Sequence, residues 1–166
     1  MRPRKLLRRG RHWLGLVPQW FRSRRLARHA RRGFGEVERF VLFVGYPRSG
    51  HSLVGSLLDA HPDVAIAHEL HVLRYVKYGF SREQIFAMLL ENSRGLAARG
   101  REATGYSYEV PGQWQGRTRR LLVLGDKRGG TTIRKLQSRP WLLPWLERRI
   151  GLPLRFVHVL RNPYDN

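Results

Sequence analysis

At 166 residues, 42% of them apolar, the chain is long enough for one domain with a real core. It carries 32 Lys+Arg against 12 Asp+Glu, a net charge of +20, and no cysteine. Disulfides and thiolate metal sites are therefore excluded, and attraction to anions is predicted without choosing among nucleotide, nucleic acid, acidic lipid or acidic glycan. No apolar run reaches the roughly 18 residues that a spanning helix needs, so no transmembrane segment is predicted.

Residues 1–36 are Arg-rich, with Trp13, Leu14, Leu16, Val17, Trp20 and Phe21 interleaved and Pro18 interrupting them. They read as a basic N-terminal arm, either solvated or applied to a membrane surface or an acidic partner. The apolar stretch at 14–17 is too short for a signal peptide, so the expectation is a cytoplasmic protein, peripheral to a membrane where the arm engages one. Gly33 and Gly35 separate the arm from a domain at 37–166.

In that domain, the apolar run 40–45 predicts a central parallel strand. A helix is predicted over 51–60, with Leu53, Val54, Leu57 and Leu58 on one face, and a short strand over 64–67. Ser81-Arg82-Glu83-Gln84 is a capping box opening a helix to about residue 98, with Ile85, Leu89 and Leu90 inward. Tyr106, Tyr108 and Val110 alternate before the Pro111-Gly112 turn, giving an edge hairpin or a loop. Gln113-Trp114-Gln115 faces an acceptor or simply packs. A third strand is predicted over 121–124, ended by Gly125. Helices follow over 131–138 and 141–150, separated by Pro140, then a fourth strand over 155–160. Strands alternating with helices predict an α/β fold with a mainly parallel sheet. Ligands of such sheets sit at the strands' carboxyl ends, where Arg48, Glu69, Lys127 and Arg161 all fall.

The first strand leads into Gly45-Tyr46-Pro47-Arg48-Ser49-Gly50-His51-Ser52-Leu53 and then a helix. That arrangement aims backbone N–H groups and a helix dipole at a phosphate. The spacing is nearly G-x-x-x-x-G-K-[ST], but His51 stands at the lysine position and the cation has moved into the loop as Arg48. The segment resembles the 5′-phosphosulfate loop of the sulfotransferase superfamily, whose donor is 3′-phosphoadenosine 5′-phosphosulfate (PAPS). Val157-His158-Val159-Leu160-Arg161-Asn162-Pro163-Tyr164-Asp165-Asn166 resembles the start of that family's 3′-phosphate segment. Leu58-Asp59-Ala60-His61-Pro62 is similar to the tyrosylprotein branch. The resemblance spans about residues 40–166 and implies a P-loop-like three-layer fold.

The resemblance also implies roles. Arg48, Ser49, Gly50, His51, Ser52 and Arg161 would hold the donor, and Arg48 would also be catalytic. Lys127 would neutralise the leaving oxygen, and Glu69 would be the base that takes a proton from an acceptor hydroxyl. The tyrosylprotein branch has its glutamate at the matching place, 69 − 48 = 21 residues after Arg48. A glutamate serves as base near neutral pH when burial raises its pKa, and helix capping is its bland alternative. His68 is the second choice for base. His68 and His71 are three apart rather than four, with no third ligand, so no metal site is expected. The acceptor class stays open among glycan, lipid, protein and metabolite.

Departures from the family accompany the match. His51 replaces the usual threonine. A serine and further adenosine contacts that lie later in the family have no counterpart before Asn166, so an N-terminal piece of a sulfotransferase domain, incomplete at its C-terminus, is expected. Two rivals stand beside the sulfotransferase reading: an ATP-dependent P-loop phosphotransferase, and a non-enzymatic basic binder of nucleic acid or anionic surfaces.

Overall fold

The computed structural model describes residues 15–103, 105–162 and 164. Its elements, in order, are α1 (Val17–Ala30), β1 (Arg39–Val44), α2 (His51–Asp59), β2 (Val64–His68), α3 (Val72–Lys77) and α4 (Arg82–Ala97). The two-residue strands β3 (Glu102–Ala103) and β4 (Tyr106–Ser107) follow. Then come β5 (Val123–Lys127), α5 (Gly129–Ser138), α6 (Leu142–Ile150) and β6 (Leu154–His158). Four strands form one wholly parallel sheet in the order β2-β5-β1-β6, and β3 pairs with β4 in a separate antiparallel hairpin. The fold is α/β, with helices on both faces of the sheet.

Period-two alternation divides the side chains between the faces. Phe40, Leu42, Ala65, Ala67 and Leu124 enter the larger core, which α1, α3, α4 and α6 cover. Val41, Phe43 and Ile66 face the other way and meet Val54 and Leu58 of α2. Phe40, Phe43, Phe80 and Phe86 are essentially inaccessible to water; each such burial stabilises the fold by roughly 1.5–3 kcal/mol. Helix α2 buries Gly55, Ser56 and Asp59, while Leu53 and Leu57 are each 53% exposed. Of the four apolar residues expected on one face, Val54 and Leu58 pack on the sheet and Leu53 and Leu57 do not. Gly55 faces inward, and a Cβ there would stand 2.9 Å from Lys127 Cγ.

Gly125 does not end the third strand. It sits inside β5, beside Val41 in the register, where an added Cβ would lie 2.7 Å from the Val41 carbonyl oxygen. A residue without a side chain is what lets β5 fit between β1 and β2. The strand therefore carries Asp126 and Lys127 in its own pleat. The last strand closes at His158 rather than at 160.

Within the segment expected as a basic arm, residues 17–30 form a helix packed on α4. Pro18 lies in its first turn, where a missing N–H costs little. Leu16 and Ala27 are buried, and Gln84 donates from Nε2 to Trp20 O (3.2 Å) and Ser23 Oγ (2.9 Å). The predicted capping box is present: Ser81 Oγ accepts from Gln84 N (3.2 Å), and Gln84 Oε1 accepts from Ser81 N (2.9 Å). Gln84 therefore both starts α4 and fastens α1. No helix among the described residues is long and apolar enough to cross a membrane.

Asp59, from the Leu58-Asp59-Ala60-His61-Pro62 segment, is a buried hub rather than a site residue. It accepts from Ile66 N, Ser93 Oγ and Gly116 N, and pairs with the buried Arg101. It thereby binds α2, β2, α4 and the 101–116 segment to one another.

Candidate functional site

The register aligns the strand ends. Val44 pairs with His158, and His68 with Lys127, so the β1–α2 loop and the residues after β2, β5 and β6 open on one edge. A cleft of about 600 Å3 lies there, lined by Arg48, Gly50, His51 and Ser52 of the loop and helix, Glu69, Lys127, Arg128, Arg134 and Arg161, with Tyr106 and Tyr108 among the other lining residues. Five cationic side chains and a single carboxylate line it.

The loop turns on three residues with positive φ: Gly45 at 126°, Arg48 at 64° and Gly50 at 93°. Arg48 is exposed, whereas Ser49 and His51 are turned inward. Ser49 Oγ donates to Tyr46 O (2.9 Å) and lies 3.0 Å from His51 Nδ1; His51 Nε2 lies 3.0 Å from Val44 O. These two side chains brace the loop from within. An N–H in the first turn of α2 has no acceptor within the helix.

Lys127 is buried and its ammonium sits at the centre of the site. It donates to Ser52 Oγ (3.0 Å), Glu69 Oε1 (3.2 Å) and His68 Nε2 (3.3 Å). Three partners match its three N–H bonds, so a ligand oxygen reaches Lys127 only by replacing one of them. Glu69 Oε2 accepts from Arg128 Nη1 at 3.1 Å, and the same nitrogen lies 3.3 Å from Glu69 O. No sequence motif singles out Arg128. It matters here because a planar guanidinium can hold the carboxylate and the backbone of one residue together. Its Nε is buried without a hydrogen-bond partner among the described residues.

The electrostatics correct one expectation. Burial does push the Glu69 carboxyl upward, but Lys127 and Arg128 together outweigh it and hold the group below the ordinary glutamate value. Glu69 is a firmly ionised carboxylate here, not a glutamate tuned toward neutrality. Burial, reinforced by Lys127, lowers His68 to about 4. Burial also lowers Lys127. His71 does not join His68: its Nδ1 lies 2.9 Å from Lys135 Nζ, and burial with Lys135 lowers it to about 4.

Asp126, beside Lys127, points to the opposite face of the sheet and is fully buried. Its Oδ1 accepts from Leu70 N (3.0 Å) and Oδ2 from Val72 N (2.8 Å). Trp114 does not line the cleft; Arg117 stacks on its ring, and neighbouring Gln115 fastens the segment by donating to Ser56 O and Tyr108 O. Tyr106 and Tyr108 are the aromatics that reach the cleft.

Chemically, the arrangement offers a strongly cationic cleft with one carboxylate in its lining. No protein-family model matches the chain, and no curated protein matches it.

Proposed function

We propose that the chain is the donor-binding part of a PAPS-dependent sulfotransferase, moving a sulfuryl group to an acceptor hydroxyl. The observation that carries the reading is convergence: Arg48, Glu69, Lys127 and Arg161 come from four separate segments and line one cleft. The orphaned Arg128 Nε and the five-to-one excess of cations in the lining fit a multiply anionic nucleotide.

In this reading the loop N–H groups, Arg48 and Ser52 hold the 5′-phosphosulfate and Arg161 the 3′-phosphate. PAPS supplies the sulfuryl group. Glu69 takes the acceptor's hydroxyl proton as the new O–S bond forms and the S–O bond to phosphate breaks. Lys127 steadies the negative charge on the departing phosphate oxygen. An anion in the cleft competes with Glu69 for Lys127 and Arg128, which frees the carboxylate and raises its basicity when the donor is in place. The alternative of magnesium–ATP chemistry finds less support: the strand-end acid Asp126 is bound to backbone N–H groups on the far face, away from the cleft.

Calorimetric titration with adenosine 3′,5′-bisphosphate, beside magnesium–ATP and an oligonucleotide, tests the reading. Selective binding of the bisphosphate, weakened about tenfold or more by Arg48→Ala, is expected. Preference for magnesium–ATP would favour a phosphotransferase. Unselective binding that falls steeply with salt would favour a polyanion binder.

A further inference from the structure

We infer that Asp126 is a positioning residue for Glu69, holding from the opposite face of the sheet the turn on which the proposed base stands. The inference rests on the sulfotransferase reading only for the word base; the geometry is independent of it.

The turn after β2 has two non-glycine residues in the left-handed region, Glu69 at φ 59° and His71 at φ 78°. Such residues are strained and persist only where the surroundings over-determine them. The short helix α3 begins there, and His71 at its N-cap supplies no side-chain hydrogen bond. Asp126 supplies the missing acceptors from β5. Its two oxygens take Leu70 N at 3.0 Å and Val72 N at 2.8 Å, and the His71 N–H also contributes. On the near side, Glu69 N donates to Lys127 O at 3.0 Å. Consecutive residues of one strand thus grip the turn from both faces, Lys127 at the carboxylate and Asp126 at the backbone behind it.

Charge–dipole geometry explains why an aspartate does this. An ionised carboxylate offers two oxygens and no donor, which suits several converging N–H groups; asparagine would present one oxygen and an NH2 that clashes with a second N–H. The charged and titratable groups facing it are Arg128 and Lys127 from its own segment and Tyr75 of α3. No acid among them competes for the donors. Without the grip, both strained residues are free to relax to ordinary conformations, and the Glu69 carboxylate leaves its place between Lys127 and Arg128.

The test is carbon-13 and amide NMR on the full chain, comparing the natural protein with Asp126→Asn and Asp126→Ala. In the variants, amide exchange at Leu70 and Val72 should quicken at least tenfold, and Glu69 should titrate closer to an ordinary glutamate. Amides of α2 should keep their protection. Unchanged Leu70 and Val72 exchange, or an unchanged Glu69 titration in a folded variant, would overturn the inference. Should neither variant fold, the natural protein still decides. Its Leu70 and Val72 amide protons should shift together, with one midpoint, as Asp126 protonates, and the Glu69 side-chain signals should follow; two unrelated midpoints would overturn it. Adenosine bisphosphate binding, measured on the natural protein, reports separately. If the natural protein fails to bind the nucleotide, the sulfotransferase reading falls while the positioning result stands.

Discussion

The Glu69 carboxylate lies 3.2 Å from Lys127 Nζ, and the pair joins the end of β2 to the end of β5 at the rim of the cleft. Glu69 is half exposed while Lys127 is almost wholly buried, so the pair matters less as a stabilising contact than as a control on protonation. Lys127→Met should raise the Glu69 pKa, because it removes the largest opposition to burial. Carboxyl-carbon NMR across pH 3–7 would detect it; an unmoved midpoint would mean that Arg128 alone sets the protonation. A depressed carboxyl adds stability above its unfolded value that is lost as pH falls through the folded one, and the substitution should lessen that acid sensitivity.

His68 and His71, both lowered from 6.5 to about 4, predict a second pH effect. Between about pH 6.5 and 4 the unfolded chain binds protons that the folded one refuses, so stability should decline on acidification through that window. Asp126, raised by burial to about 6, acts in the opposite sense between 3.8 and 6 and offsets part of the slope. Two histidines against one carboxyl leave a net loss toward acid. Urea midpoints measured from pH 7 to 4.5 should fall, and His68→Gln with His71→Gln should flatten or invert the trend. An unchanged slope in the double variant would refute it.

Much of this site was legible because parallel sheets gather chemistry at strand ends. Arg48, Glu69, Lys127 and Arg161 each follow an apolar run, and the cleft unites them. What escaped depends on partners distant in sequence. Helix α3 has no cap of its own; the acceptor for Val72 N is Asp126, 54 residues on. Gly125 read as a stop because a glycine after an apolar run usually is one, whereas here closeness to the Val41 carbonyl demands it within a strand. The docking of α1 rests on Ser23 and Gln84, polar residues that hydrophobic periodicity does not register. The inward turn of His51 likewise depends on space made by Gly129 of α5.

Asp59 and Arg101 are 0% and 1% exposed and give the sharpest stability prediction. Asp59→Ala leaves a buried guanidinium without its anion and strips acceptors from Ile66 N, Gly116 N and Ser93 Oγ. A loss of about 3–5 kcal/mol is expected. Arg101→Met should cost less, because those three donors still satisfy Asp59. Urea denaturation would rank them, and equal losses would show that the ion pair itself dominates.

His51 and Gly129 are coupled by packing. An added Cβ at Gly129 would stand 2.5 Å from His51 Cε1 and 2.7 Å from Nε2, both side-chain ring atoms held by Val44 O and Ser49. The ring cannot swing away without surrendering those contacts, so Gly129→Ala should destabilise by about 1–3 kcal/mol. His51→Ser should cost roughly 1 kcal/mol by leaving the Val44 carbonyl without its partner. The two effects should not add. Gly129 is the first residue of α5, and with the ring gone alanine gains its helical advantage of up to about 1 kcal/mol. In the His51→Ser background, Gly129→Ala should therefore become neutral or stabilising, a reversal of sign that a double-mutant cycle on urea midpoints reads directly. Additive losses would mean that the loop shifts to accept the methyl group, and that the imidazole does not brace it.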